Sequence, residues 1–184
     1  MRPTEARVIA LIGTSGSGKS SIKQLIQKEY GAEVAPKYTT RASRGTAEDA
    51  ADFIFCQRDA MPTKRILTFD SYGDLFGIQL DDIEQSLQRG HHHVLGVGDC
   101  STVRSLSALY PNRLICIFIY CAIDVLHSRI ISDASGSRSS RWTRIVEQIE
   151  ETYPVLSCVQ FVVDNSGSFA ATRSQVDAIM RKML

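Results

Sequence analysis

The sequence predicts an α/β fold: a parallel sheet sandwiched by helices, with a small insertion and a short lid. Three observations predict it. Short apolar runs alternate with amphipathic segments along most of the chain. The first run, Val8-Ile-Ala-Leu-Ile12, is continuous rather than alternating, as in a strand buried on both faces. A glycine-rich octapeptide, Gly13 to Ser20, joins that strand to a helical pattern. In Ser20–Tyr30, Ile22, Leu25 and Ile26 share a face opposite Lys23, Gln27 and Lys28, and Gly31 ends the helix. Val34–Arg44 reads as a short strand running into a polar loop, and Gly45–Asp52 as loop. Asp52–Cys56 and Thr63–Phe69 read as strands, while Asp70 and Asp74 suit turn chemistry. Leu80–Arg89 is a helix with Asp81 and Asp82 in its first turn and Gly90 beyond its end. Val94–Gly98 is a strand, Ser101–Tyr110 a helix stopped by Pro111, and Leu114–Tyr120 the most apolar strand, placed centrally. Ala122–Ile131 is a helix, Asp133–Ser140 a Ser/Gly/Arg-rich mobile stretch, and Arg141–Tyr153 a helix. A strand at Gln160–Asp164 and a helix at Phe169–Leu184 complete the pattern. The whole chain, 1–184, is expected to be one domain. Its core spans about 1–33 and 90–184, a mostly-β insertion about 34–80 and a lid about 132–144.

Composition narrows the function. With 21 basic and 20 acidic residues the formal charge is +1, so no broad field exists to hold nucleic acid or an anionic membrane. Any anion site must be local. A hydrophobic content of 43% excludes global disorder. The longest apolar candidate, Leu114–Ile123, falls far short of the ~18 residues of a membrane span. Met1–Arg7 lacks an apolar core, so no secretory leader is expected. The cysteines (56, 100, 116, 121 and 158) are odd in number and contain no C-x-x-C, which suits reduced thiols in a cytoplasmic protein. His91-His92-His93 is a poor chelator, because successive strand residues point to opposite faces.

The octapeptide Gly13-Thr14-Ser15-Gly16-Ser17-Gly18-Lys19-Ser20 matches G-x-x-x-x-G-K-[ST] in full, between a strand and a helix as the motif requires. Its backbone N–H groups and the helix N-terminus can wrap a phosphate chain, and Ser21 continues the first turn. Lys19 is placed for the β- and γ-phosphates of ATP, and Ser20 for Mg²⁺. Downstream, Thr39-Thr40-Arg41-Ala42-Ser43-Arg44 puts two arginines in an extended or turning segment, where both can face one anion bidentately.

At these residues the chain resembles guanylate kinase. That family has T-T-R-x-x-R, then a G-E pair, then D-Y at the spacing of Arg44 to Asp52-Phe53. Phe76-Gly77 stands where the family has Y-G, and Leu114–Arg129 and Val162–Asn165 resemble its later strand–helix and strand end. The resemblance implies a P-loop NTPase fold and an ATP- and Mg²⁺-dependent kinase acting on a phosphorylated small molecule, most simply a nucleoside monophosphate such as GMP. It implies that Arg41 and Arg44 hold the acceptor phosphate, with Lys37, Phe53, Asp70, Phe76 and Gly77 at the acceptor site. Arg138, Arg141 or Arg144 would close over the transferring group, although a solvated basic helix face explains the same spacing. Asp99 is the candidate acid at the end of the Val94–Gly98 strand. An extra histidine after Gly90 shifts it by one position, and such a slip turns a strand side chain to the other face.

The departures concern the acceptor. The family's two phenol donors are Phe53 and Phe76 here, Ile78 replaces a guanine-reading serine, and the position of a guanine-pairing glutamate falls on Leu67, near Asp70. The family's serine ahead of T-T-R falls on Lys37 or a neighbour. The ribose 1,5-bisphosphate kinases of phosphonate breakdown are also similar: Lys37-Tyr38-Thr39-Thr40-Arg41 matches their basic-Tyr-x-Thr-Arg start, and Glu48 their acid seven residues after the arginine. Their acceptor is a second expectation. A binding module without turnover and an acceptor-free NTPase switch are the readings from other classes. Trp142 is expected to anchor the lid helix on apolar surface.

Overall fold

A computed structural model describes residues 5–43, 45–71, 73–132, 142–143, 145–146 and 153–183. Arg44, Arg138, Arg141 and Arg144 lie outside the described residues, as does the predicted mobile stretch 133–140. The core is a four-stranded parallel sheet. Its strands are β1 (Val8–Ile12), β6 (His93–Val97), β7 (Leu114–Tyr120) and β8 (Phe161–Asp164), in the order β6-β1-β7-β8. β1 is central and pairs with β6 through Ile9↔Val94 and with β7 through Ile9↔Ile115. All five β1 residues are buried, as the unbroken apolar run predicts.

Helices cover both faces. Ile9 and Leu11 of β1 pack with Ile22, Leu25 and Ile26 of α1 (Lys19–Tyr30) and Val176 and Met180 of the C-terminal helix α6 (Phe169–Met183). Val8, Ala10 and Ile12 point the other way, onto Ile83 of α3 (Leu80–Gln88) and Val103 and Leu106 of α4 (Cys100–Leu109). This alternation of β1 side chains makes one strand the centre of two half-cores. α5 (Ile123–Ser132) adds Leu126 and Ile130, on which Ile145 and Trp142 pack, and the His127 ring meets Trp142 edge-on at 4.6 Å. The expected apolar seat for Trp142 is therefore present.

Between α1 and α3 the chain builds a second sheet, β3-β2-β5-β4, from β2 (Lys37–Thr39), β3 (Phe53–Phe55), β4 (Ile66–Ser71) and β5 (Asp74–Gln79). β2 runs parallel to β3 and antiparallel to β5. Two expectations fail here. Residues 47–52 are not loop but the helix α2 (Ala47–Asp52), capped by the Thr46 hydroxyl, which accepts from the Asp49 N–H at 3.1 Å. Six residues are too few for hydrophobic periodicity to announce. β5 was not expected at all. It pairs with β4 from Ile66↔Gln79 to Ser71↔Asp74, and Gly73, at φ 80°, supplies the tight turn. Asp70 and Asp74 are thus hairpin strand residues rather than loop residues.

Candidate active site at the phosphate loop

The loop from Gly13 to Gly18 leaves β1 and enters α1. Gly18 is the N-cap of α1 at φ 98°, with no side-chain cap bond and no acidic residue in the first turn. The first-turn N–H groups are therefore left for an anion. A Cβ on Gly13 would meet the Ile119 carbonyl at 2.7 Å, and one on Gly18 would meet the Asn165 amide nitrogen at 2.1 Å. Asn165, just past β8, braces the loop from below. Its Nδ2 donates to the Ser17 carbonyl at 2.7 Å, and its Oδ1 accepts from the Thr172 hydroxyl at 2.8 Å. Arg129 of α5 donates to the Asn165 carbonyl at 2.8 Å.

Lys19 donates to the carbonyls of Gly13 at 2.6 Å and Thr14 at 2.8 Å. Its ammonium is enclosed although the residue as a whole is only half-buried. That burial, with the Lys37 charge nearby, lowers its pKa to about 7. The Ser17 hydroxyl is fully buried and lacks a hydrogen-bond partner among the described residues. An uncapped helix end, an enclosed ammonium and an orphaned hydroxyl in one loop fit a polyphosphate. Ser15, Ser20 and Ser21 line the adjoining cleft, and the Ser20 hydroxyl is an oxygen that could hold a divalent cation.

The cleft, about 410 Å³, lies between this loop and the second sheet. Phe53, Phe69 and Phe76 form its far wall, with ring centroids 6.1 Å apart for Phe53–Phe76 and 5.5 Å for Phe69–Phe76. Arg41 reaches the cleft held from two sides. It donates to Asp49 at 2.7 Å, and its guanidinium lies 4.9 Å from the Phe53 ring centre. Lys37 donates to the Gly96 carbonyl at 2.8 Å and sits 5.4 Å from the same ring. Burial, aided by the Lys23 charge, pushes Lys37 down to about 8.

Several candidates lie elsewhere. Asp70 faces away from the cleft, its side chain 68% exposed beside Arg58, because on β4 Phe69 and Ser71 take the inward positions. Gly77 is a packing position in β5: a Cβ there would meet Ile66 at 2.4 Å. Asp99 is the N-cap of α4. It accepts from the Thr102 N–H at 2.8 Å and from the hydroxyls of Ser101 and Thr102, both at 2.6 Å. Asp99→Ala should therefore destabilise the fold by ~1 kcal/mol, the worth of a side-chain cap. A shift of the urea midpoint reads this, and an unmoved midpoint would refute the capping role. The three histidines take separate partners: His91 with Glu33, His92 with the Arg7 N–H and His93 with Ser86.

Asn165 and Asp52 were not singled out from the sequence as parts of the phosphate site. Asp52 accepts from the Ser20 hydroxyl at 3.4 Å and pairs with Lys23. The one sequence hint was its place at the D-Y position of the resemblance.

Comparison with known proteins agrees with this architecture. A guanylate kinase from Clostridium acetobutylicum is 22% identical over 171 residues, spanning 90% of this chain and 81% of that protein. The crystal structure of guanylate kinase from Anaplasma phagocytophilum superposes with a TM-score of 0.71 at 16% identity, covering 97% of this chain and 86% of that one. A gluconokinase from Sinorhizobium meliloti has the same kind of fold at a TM-score of 0.58 and 17% identity, with 99% and 97% covered. The guanylate kinase family model matches residues 5–183, and the chain therefore belongs to the guanylate kinase family.

Proposed function

We propose that the protein is a phosphotransferase that moves the γ-phosphoryl group of MgATP to a phosphate-bearing small molecule, in the first instance a nucleoside monophosphate such as GMP. One observation carries this reading: the phosphate loop faces Lys37 and Arg41 across a single cleft with an aromatic wall. When bound, the nucleotide supplies the phosphoryl group, and a cation at Ser20 neutralises charge on it. Lys19, two of whose three donors go to the Gly13 and Thr14 carbonyls, would hold the phosphates through the third, and bound anions would restore the proton that burial disfavours. Arg41, pre-set by Asp49 and Phe53, holds the acceptor phosphate. Arg44 is proposed as its partner, and Arg138, Arg141 and Arg144 as lid cations, on the family resemblance. No covalent intermediate is needed, because positioning and charge stabilisation suffice for this chemistry.

A flat base can stack on the phenylalanine wall. A second acceptor class, a sugar bisphosphate, is favoured by Lys37, which adds a cation where an extra phosphate could bind. A coupled ADP-release assay with MgATP and GMP, dGMP, AMP, CMP, UMP or ribose 1,5-bisphosphate tests the proposal. Acceptor-dependent turnover is expected. No turnover, together with no MgATP-dependent rise in melting temperature, would instead support a binding module. Arg41→Ala should raise the acceptor KM about 10- to 100-fold with kcat little changed, since a hydrogen bond to a charged group is worth ~1.5–3 kcal/mol. Normal acceptor saturation would remove the arginine from the site.

A further inference from the structure

We propose that Asp52 is a ligand of the divalent cation that accompanies the nucleotide, shared with Ser20 across the cleft. The inference rests on the phosphate-loop reading above and adds a residue to it. Among the described residues two carboxylates line the cleft, Asp49 and Asp52. Asp49 is engaged by Arg41 at 2.7 Å. Asp52, three residues further along α2, accepts from the Ser20 hydroxyl through Oδ2 at 3.4 Å and pairs with Lys23 through Oδ1. Asp99, the acid near the end of β6, is committed to the α4 cap by three hydrogen bonds. Gly96 and Gly98 line the cleft at that strand end and bring no side chain. A cation on the Ser20 hydroxyl therefore meets the Asp52 carboxylate.

The pair suits the ion. Mg²⁺ takes oxygen ligands, commonly one or two carboxylates with substrate phosphates and waters. Asp52 is largely enclosed, with a side-chain exposure of 17% against 14% for Lys23, and an enclosed carboxylate needs a positive partner. Lys23 fills that need here and marks the place of a cation. It lies four residues after Lys19, one turn along the same helix face. Asp52 would exchange Lys23 for the metal. The placement also has a structural consequence. Asp52 ends the helix that carries Asp49, the partner of Arg41, and Phe53 of the cleft wall follows it directly. α2 thus carries both the proposed metal ligand and, three residues earlier, the partner of the acceptor arginine.

The test uses the full chain with ATP and Mn²⁺ as probes. Free Mn²⁺ is followed by electron paramagnetic resonance, and ATP affinity in EDTA by calorimetry. Asp52→Asn should weaken Mn²⁺ binding to the ATP complex by about tenfold or more, the scale lost with a metal-site partner. Its ATP affinity in EDTA should be at least that of wild type, because a negative charge beside the phosphates has gone. Lys23→Met should keep wild-type Mn²⁺ affinity or exceed it. Asp52→Cys should shift preference from Mn²⁺ towards Cd²⁺ relative to wild type, as a softer ligand does. Wild-type Mn²⁺ affinity in Asp52→Asn would overturn the proposal, as would an equal loss in Lys23→Met or an unshifted preference in Asp52→Cys. Wild-type protein that binds no ATP, with or without metal, would overturn the phosphate-loop reading itself, a result distinct from the others.

Discussion

Lys19→Ala should lower acceptor-dependent ADP release by more than about 10²-fold, the loss that follows removal of one preorganised charge-stabilising donor. The size of the effect follows from where the ammonium sits. It is held by the Gly13 and Thr14 carbonyls inside the loop, so no reorganisation of solvent is needed when charge develops nearby. The same enclosure has a pH signature. Lys19 is lowered to about 7 and Lys37 to about 8, from an ordinary value of 10.5. Between those values and 10.5 each of these two lysines binds more proton in the unfolded chain than in the folded one. Burial pushes the thiols of Cys100, Cys116 and Cys121 up from their ordinary value of 9.0, which opposes the trend at higher pH. Below 9.0 the nucleotide-free protein should therefore gain stability as pH rises from 7, a gain that Lys19→Ala reduces. Binding a polyphosphate favours the charged lysines, so calorimetry at pH 8 in buffers of different ionisation enthalpy should detect proton uptake. Wild-type turnover in Lys19→Ala would sink the phosphate-transfer assignment. Stability that falls with pH across this window would sink the buried-lysine account.

Features carried by local signals were legible in the chain. The octapeptide, its preceding apolar strand and its following amphipathic helix lie within residues 8–30, and the structure assembles them as the pattern implies. β1 and β6 were legible because burial on both faces produces unbroken apolar runs. α2 was hidden because its evidence is one capping threonine and a few alanines, without a buried face to set a period. β5 was hidden because Asp74, at its start, reads as turn chemistry, and Gly77 interrupts the apolar run within it. The largest gap concerns side-chain partners. Asp99 looked like a site acid from its place after a strand, yet Asp99-Cys100-Ser101-Thr102 is also a helix start, and the hydrogen bonds favour that second role. Asn165 reaches Ser17 across 148 residues, and Asp52 reaches Ser20 across 32. Neither contact has a period or spacing that could reveal it. Chain topology alone creates both, by bringing the end of β8 beneath the loop and the second sheet opposite it.

Gly18→Ala tests the brace under the loop. Gly18 sits at φ 98°, where an L side chain is strained, and an added Cβ would lie 2.1 Å from the Asn165 nitrogen. The neighbour cannot yield cheaply. Asn165 is 5% exposed, and its amide donates to the Ser17 carbonyl while its oxygen accepts from Thr172. Moving it leaves a buried carbonyl unpaired, at ~1–3 kcal/mol, on top of ~1–2 kcal/mol for the left-handed backbone, so a destabilisation of roughly 2–5 kcal/mol is expected. The two parts can be separated. In an Asn165→Ala background the clash disappears and only the backbone strain remains, so the double variant should lose less than the sum of the single losses. Urea unfolding of the four proteins measures the coupling. MgATP should raise the melting temperature of Gly18→Ala less than that of wild type, because the loop that presents its N–H groups has shifted. A wild-type midpoint in Gly18→Ala would refute the close approach. Strict additivity with Asn165→Ala would show that Asn165 does not hold the loop, and the phosphate-binding geometry would then depend on the glycine backbone alone.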